Sequence, residues 1–333
     1  MDPSPVSPSD QVRRSLGTAL RPFLALIFVT AFFAVADGLQ ENGGRFTTVR
    51  NAQNVIVQSA TVAVAALGMT LIIISAGIDL SAGTGMGLCA CVLAWLLKHD
   101  YSPTVAVLLG IATGGLAGLV NGLLISLLRI VPFIVTLGTM TIFLGLGKVI
   151  SENRTIRPAP DQIPAWMGQF LNPRIDAAWM VVPPGIWLLL LLALVVMIGL
   201  RFTVFGRHVS AMGSNESAAR LSGINVTATR VAVYTLAGLL VGIAGLFQFA
   251  RLPSANPTAG IGKELRVIAS VVIGGGSLSG GRGSILGTLT GALIMQVISN
   301  GCTALRLPDP IKDIIIGIII IVAVAVDQYR KRQ

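Results

Sequence analysis

Residues 206–225, GRHVSAMGSNESAARLSGIN, form the longest basic polar interlude between two apolar runs long enough to cross a membrane. The interlude carries its own helix punctuation. Ser214 can cap a short helix, Glu216 falls in the first turn where the helix dipole favours an acid, and Arg220 lies four residues on for an i,i+4 pair. Gly223 supplies the stop. A helix of about two turns does not hold its shape alone in water, so the spacing predicts a capped segment held against a partner.

Working outward, the flanks of this interlude decide the fold class. The chain has 333 residues, 53% hydrophobic and only 11% charged, with a mean hydropathy of +0.81. Soluble domains carry about a quarter charged residues, so this is an integral membrane protein. Lipid satisfies no backbone hydrogen bond, which leaves helices or closed barrels, and the apolar runs are continuous instead of alternating. The expected fold is all-α with about ten transmembrane helices, some short or broken. The runs are Phe23–Ala36, Val55–Ala76, Ser81–Leu97, Pro103–Leu127, Pro132–Ile150, Pro184–Leu200, Arg230–Phe249, Leu265–Ile273, Ile285–Ile298 and Ile311–Val326. A hydrocarbon core about 30 Å thick needs about 20 helical residues. The 265–273 and 285–298 runs fall short of that and are bounded by glycine, the pattern of broken or tilted elements shielded from lipid.

The remaining segments divide the chain. Residues 1–20 read as a mobile polar tail, 21–327 as the membrane domain, and 328–333 as a basic tail. Arg13 and Arg14 before an apolar run, with Ala34-Val35-Ala36 after it, fit either a signal peptide or a retained first helix; the many later spans favour the helix. Ten spans put both termini on one side. Of 24 Lys and Arg, twelve fall on each side, so the count alone gives no orientation. Local density does: Arg13 and Arg14, Arg330-Lys331-Arg332 and the basic 201–229 loop point to cytoplasmic termini. The 151–184 loop then lies outside, rich in Pro and carrying Trp166 and Trp179, as a docking surface or as a cap over helix ends.

A net charge of +10 would suggest nucleic acid in a soluble protein, but here the cations sit at the ends of apolar runs and read as membrane anchors. Cys89 and Cys91 point to different helix faces, and with Cys302 they give neither a disulfide framework nor a metal site. No G-x-x-x-x-G-K-[ST] is present, since Gly147-Lys148 is followed by Val149 and lacks the upstream glycine. Neither H-E-x-x-H nor G-x-S-x-G occurs, and His99 and His208 are isolated. Hydrolytic chemistry has no residues to run it. The glycine-rich stretch GGGSLSGGRG at 274–283 reads as tight packing and turns in preference to a phosphate cradle.

In Gly68–Gly87, GMTLIIISAGIDLSAGTGMG, an acid follows an apolar run and small residues open the next. Asp79 there caps the following helix, lines a path, or couples protons. The pattern L-S-x-G-x-G occurs at Leu80–Gly85 and again at Leu278–Gly283, an echo of the internal repeats transporters use. Polar residues within or beside apolar segments are few. Gln58, Asp79, Ser81, Asn121, Thr136, Gln248 and Asn300, with Gln296, are what a path for a neutral polyhydroxylated solute needs. Amides and hydroxyls equally hold helices together in lipid.

Three blocks resemble one family: GMTLIIISAGIDLSAG (68–83), the 206–225 loop, and PTAGIGKELRVIASVVIGGGSLSGGRGSILGTLTGALI (257–294). They are similar to the permease subunits of bacterial ATP-binding-cassette importers for ribose and related monosaccharides. The resemblance runs from about Thr47 to Asp327. It implies a plasma-membrane permease that is not itself an enzyme, paired with a second or related permease. Two ATPase subunits would hold ATP and Mg, and a secreted sugar-binding protein would deliver the solute. In that family an E-x-A-A-x-x-x-G loop lodges in the ATPase; Glu216, Ala218, Ala219 and Gly223 match it, with Arg207, Gly213, Ser214, Asn215 and Arg220 around them. Ser217 departs from the Ala that many such loops carry. A proton-driven secondary transporter using Asp79 is the rival reading.

Overall fold

A computed structural model describes residues 8–40, 44–173 and 182–331, without the side chains of 8–21 and 326–331. Trp179, Arg332 and the side chains of Arg13, Arg14, Arg330 and Lys331 lie outside that description.

The helices in chain order are α1 (Pro8–Gly38), α2 (Val49–Ile74), α3 (Ala82–Lys98), α4 (Pro103–Leu128), α5 (Pro132–Ile150), α6 (Ala165–Gln169), α7 (Pro184–Phe202), α8 (Val204–Ser214), α9 (Glu216–Leu221), α10 (Val226–Arg251), α11 (Lys263–Ile273), α12 (Ile285–Ala304) and α13 (Asp309–Lys331). Local chemistry sets their starts. Thr48, Ser102, Asn225 and Ser284 cap α2, α4, α10 and α12 through side-chain acceptors, and Pro opens α4, α5 and α7, where no N–H is missed. Helix α1 begins at Pro8, inside the stretch that the sequence assigns to a polar tail. Phe33 of α1 lies over Gly301 of α12, so the helix is packed into the bundle.

Among the described residues, six helices are long and apolar enough to span a bilayer: α2, α4, α5, α7, α10 and α12. Pro22–Gly38 of α1 and all of α3 are shorter apolar helices, and α13 carries the apolar run Ile314–Val326. One of the two short elements expected from the sequence is lengthened here and the other stays short. Helix α12 has 20 residues, enough to cross, whereas α11 has 11, about 16 Å of helix and half a hydrocarbon core. Among the described residues the full-length apolar helices are thus fewer than the apolar runs.

Helices α2, α3 and α10 form the centre: 83% of the apolar window of α2 is buried, against 22% for α7. A helix apolar on all sides belongs inside. The most extensive helix contact is α4 against α10, and glycine makes it possible. A Cβ on Gly114 would lie 2.6 Å from the Gly242 nitrogen, and one on Gly238 would lie 2.9 Å from the Gly118 Cα. Small residues at these crossings let backbones touch, which is how helices associate where lipid provides no hydrophobic drive.

The path of the chain is interrupted twice within the bundle. After α2, Ala76 takes a left-handed conformation (φ 62°), and the amides of Ala76 and Gly77 bond back to Ile73 and Ile72, closing a Schellman turn. The chain then runs without helix to α3, whose first turns lie at the middle of α10, with Gly85 against Val241. After α10, residues 252–262 fold back so that Gly260 and Glu264 meet Gly83. The N-termini of α3 and α11 thus face one another inside the protein. Irregular backbone at that position is shielded from lipid by surrounding helices.

The described part of the loop after α5 packs over helix ends. Ile156 and Ala255 exchange backbone hydrogen bonds of 2.8 and 2.9 Å, and Ile156 and Met167 join Leu97, Phe249 and Ala250 in one buried cluster. Trp166 stays exposed, edge-on to Phe170.

Candidate functional site

The basic interlude folds as two helices joined at Asn215. Thr203 caps α8 by accepting from the Gly206 amide, 3.3 Å. Asn215 is extended (φ −158°) and its Oδ1 accepts from the Ala218 amide, 3.0 Å, so Asn215 caps α9. Ser214, the cap expected from the sequence, is the last residue of α8; its hydroxyl donates to the Ser210 carbonyl at 2.9 Å. Both residue types cap well, and the choice falls to Asn215 because it alone is extended. At the other end Gly223 is left-handed (φ 83°). Its amide bonds to Arg220 and that of Ile224 to Ala219, a complete Schellman stop.

Glu216 holds this element to the bundle. It accepts from Arg220 at 3.1 Å and from Arg230 of α10 in a shorter contact of 2.5 Å. Partial burial pushes its carboxyl up, but the hydrogen bonds and charges of Arg230 and Arg220 outweigh that and hold it below the usual carboxylate range. A depressed acid stabilises the fold above its unfolded pKa and stops doing so as pH falls through the folded value. Amide protection in α9 is therefore expected to persist while ordinary carboxylates protonate and to fall only below that range. Hydrogen exchange across the titration checks this; protection lost within the ordinary range would contradict it.

Of the other loop residues, Ala219 is buried, while Arg207, Ala218, Arg220 and Leu221 are exposed, Leu221 at 91%. Gly213 is buried for a specific reason: a Cβ there would run into the Ile74 carbonyl and lie 2.9 Å from the Gly281 nitrogen. That nitrogen itself donates to Ile74 O at 2.8 Å. The end of α8, the end of α2 and the glycine turn before α12 thus share one junction. The turn is built as the sequence suggests, with Gly275, Gly280 and Gly281 left-handed and Gly274 packed on Gly287. Its L-S-x-G-x-G copy is not equivalent to the one at Leu80–Gly85, which leads straight into α3.

The expected path residues do not converge on one chamber. Asp79 is buried, and its Oδ1 accepts from the Ser81 amide (2.7 Å) and hydroxyl (2.6 Å). It thus closes a turn ahead of α3 without reaching the amides inside the helix. Asn121 donates to the Ser81 hydroxyl at 2.9 Å, and Thr136 donates to the Ile78 carbonyl at 3.2 Å. These four surround the break between α2 and α3. The rest pair elsewhere: Gln58 accepts from Gln296 at 2.9 Å, Gln248 from Lys263 at 2.6 Å, and Asn300 exchanges bonds with Asn51 at 2.9 and 3.0 Å. Gln58 also lines an open pocket of ≈ 210 Å³ with Asn54, Leu171, Asn172 and Arg251.

Sequence reasoning missed four participants. Tyr234 is 1% exposed with its hydroxyl unpartnered against Gly77, and Glu264 keeps one buried carboxylate oxygen unpartnered beside Gly83. Lys263 and Arg230 reach partners fifteen and fourteen residues away, beyond any helical spacing. The acid in GKELR, an ionisable residue within a short apolar element, was the available signal for Glu264. Cys89, Cys91 and Cys302 are free and buried, and no group of three metal-ligating side chains occurs among the described residues.

Comparison with known proteins gives this arrangement a family. A model described as the branched-chain amino acid transport system permease component matches residues 51–324. The ribose import permease of Bacillus subtilis is 38% identical over 323 residues, covering 96% of this chain and 94% of its own. The ribose import permease of Escherichia coli K12 is 37% identical over 307 residues, 92% and 94% of the two chains. The fructose import permease of Rhizobium meliloti is 37% identical over 312 residues, 93% and 85%. No solved structure matches. The chain therefore belongs to this family of transport-system permease components and is a multi-pass membrane permease, like the sugar import permeases it matches.

Proposed function

We propose that the chain is the permease subunit of an ATP-driven importer that moves a monosaccharide into the cytoplasm by alternating access. Both termini and the 201–229 loop face the cytoplasm, and the 151–184 loop faces the binding protein outside. A second permease, identical or related, completes the path, and ATP and Mg are held by ATPase subunits. The observation that carries this reading is α9. It is capped at both ends, tied to α10 through Glu216 and Arg230, and turns Leu221 outward at 91% exposure. A six-residue helix so fully punctuated has little to do within its own chain.

Movement of α8 and α9 reaches the bundle through the Gly213 junction, which touches both α2 and the turn leading to α12. Both flank elements that are interrupted within the protein, where two packings can alternate at modest cost. The proton-driven alternative through Asp79 is not favoured, because the named relatives are import-system permeases and Asp79 is occupied in closing a turn.

Leu221→Asp tests the coupling. The side chain is almost wholly exposed, so the permease should fold with unchanged stability. In the reconstituted complex, binding-protein-stimulated ATP hydrolysis and uptake should both fall by about tenfold or more, as for an interface anchor. Wild-type uptake by this variant, or uptake without ATP, would sink the proposal.

A further inference from the structure

On the same face as α9, the α4–α5 turn, α9 and the start of α10 enclose a pocket of ≈ 480 Å³. Its polar lining is Ser126, Arg129, Glu216, Arg220, Thr227 and Arg230. Three guanidinium groups face one carboxylate, leaving a lining charge of +2 (three minus one). Glu216 is already shared by Arg220 and Arg230, and each guanidinium has five N–H donors, so most remain available. Arg129 has no hydrogen-bond or ion-pair partner among the described residues, whereas the Ser126 hydroxyl, also without a partner, is closed off from the pocket. An anion with several oxygens answers the free guanidinium donors, and a phosphate matches the fork of arginine best.

The rim of the pocket identifies the source of that phosphate. Leu127 and Val131 flank Arg129 and are 66% and 59% exposed, and Leu128, Phe133 and Ile134 extend the apolar surface. A basic pocket between membrane helices at the edge of an apolar belt is where lipid headgroups bind. We propose that this pocket binds the phosphate of an anionic phospholipid headgroup, with the acyl chains lying on α4 and α5. The site goes beyond the transport reading: it requires neither that α9 meet an ATPase nor a particular orientation.

The full-length permease in neutral detergent is the material for the test, with native mass spectrometry and thermal unfolding as readouts. Phosphatidylglycerol should be retained in preference to phosphatidylcholine and should raise the melting temperature. R129Q should lower retention by about tenfold, the worth of one charge-assisted bond, with its lipid-free melting temperature unchanged. R129K keeps the charge but loses the planar fork, so it should weaken retention less than R129Q; it serves if R129Q folds poorly. Equal retention by both variants and wild type overturns the proposal. An equal thermal shift from inorganic phosphate alone assigns the pocket to free phosphate and overturns the lipid source. Loss of all retained lipid when the ATPase is added would make it a protein-docking surface, and the proposal fails.

Discussion

Valine at position 238 is expected to remove most of the folded permease from the membrane, whereas valine at position 138 leaves the yield near that of the parent. Both sites are helical glycines in apolar sequence. A Cβ on Gly238 would lie 2.9 Å from the nitrogen and Cα of Gly118 and closer still to the Gly114 carbonyl, while a Cβ on Gly138 meets nothing within 4 Å. Overpacking usually costs about 1–3 kcal/mol when neighbouring side chains can rotate away. Here the neighbours are backbone atoms of α4 and cannot, so the cost should reach or pass about 3 kcal/mol, a large share of a typical stability of about 5–15 kcal/mol. Gly238→Ala should already show a measurable loss. Yield and monodispersity on size-exclusion chromatography read both variants. A monodisperse Gly238→Val permease at parental yield would refute the account of the α4–α10 contact.

The second large effect concerns the junction under α8. Gly213→Val should abolish uptake in the reconstituted complex while ATP hydrolysis continues without stimulation by binding protein. A side chain there collides with the Ile74 carbonyl and crowds the Gly281 amide that bonds to it. The end of α8 must move off α2, and the link between the outer helices and the interrupted elements opens. Gly223 provides the contrast. It is needed for its left-handed φ of 83° and has open space around it, so Gly223→Asn, which tolerates that conformation, should retain most activity. Equal loss at both positions would point to general damage to the loop, and retained uptake in Gly213→Val would remove the junction from the mechanism.

The loop shows how far local sequence reaches. The i,i+4 pair of Glu216 and Arg220 and the stop at Gly223 were legible because helix spacing and left-handed φ are set within a few residues. The cap was misplaced by one residue, since Ser214 and Asn215 have similar cap preference and only the turn between α8 and α9 selects one. The second bond of Glu216, to Arg230, was not legible. It joins residues fourteen apart across two helices. The scattered amides were recognised as polar groups in apolar runs, but their pairing required the tertiary fold. Gln58 meets Gln296 and Asn51 meets Asn300 across separations of 238 and 249 residues.

Hydropathy by itself determined that this chain is a helical membrane protein, because continuous apolar runs in lipid have no other way to satisfy their backbones. Three sequence blocks were enough to indicate its family. Tertiary structure decided which elements cross and which stop partway. The apolar run 265–273 does not by itself say where its helix starts and stops; the bounds of α11, with the contact between the starts of α3 and α11, fix it as an interrupted element. It also decided what each glycine is for: a close crossing, a left-handed turn, or nothing at all. A sequence records the missing side chain, but whether another backbone occupies that space depends on residues more than a hundred positions away, such as Gly114 facing Gly238.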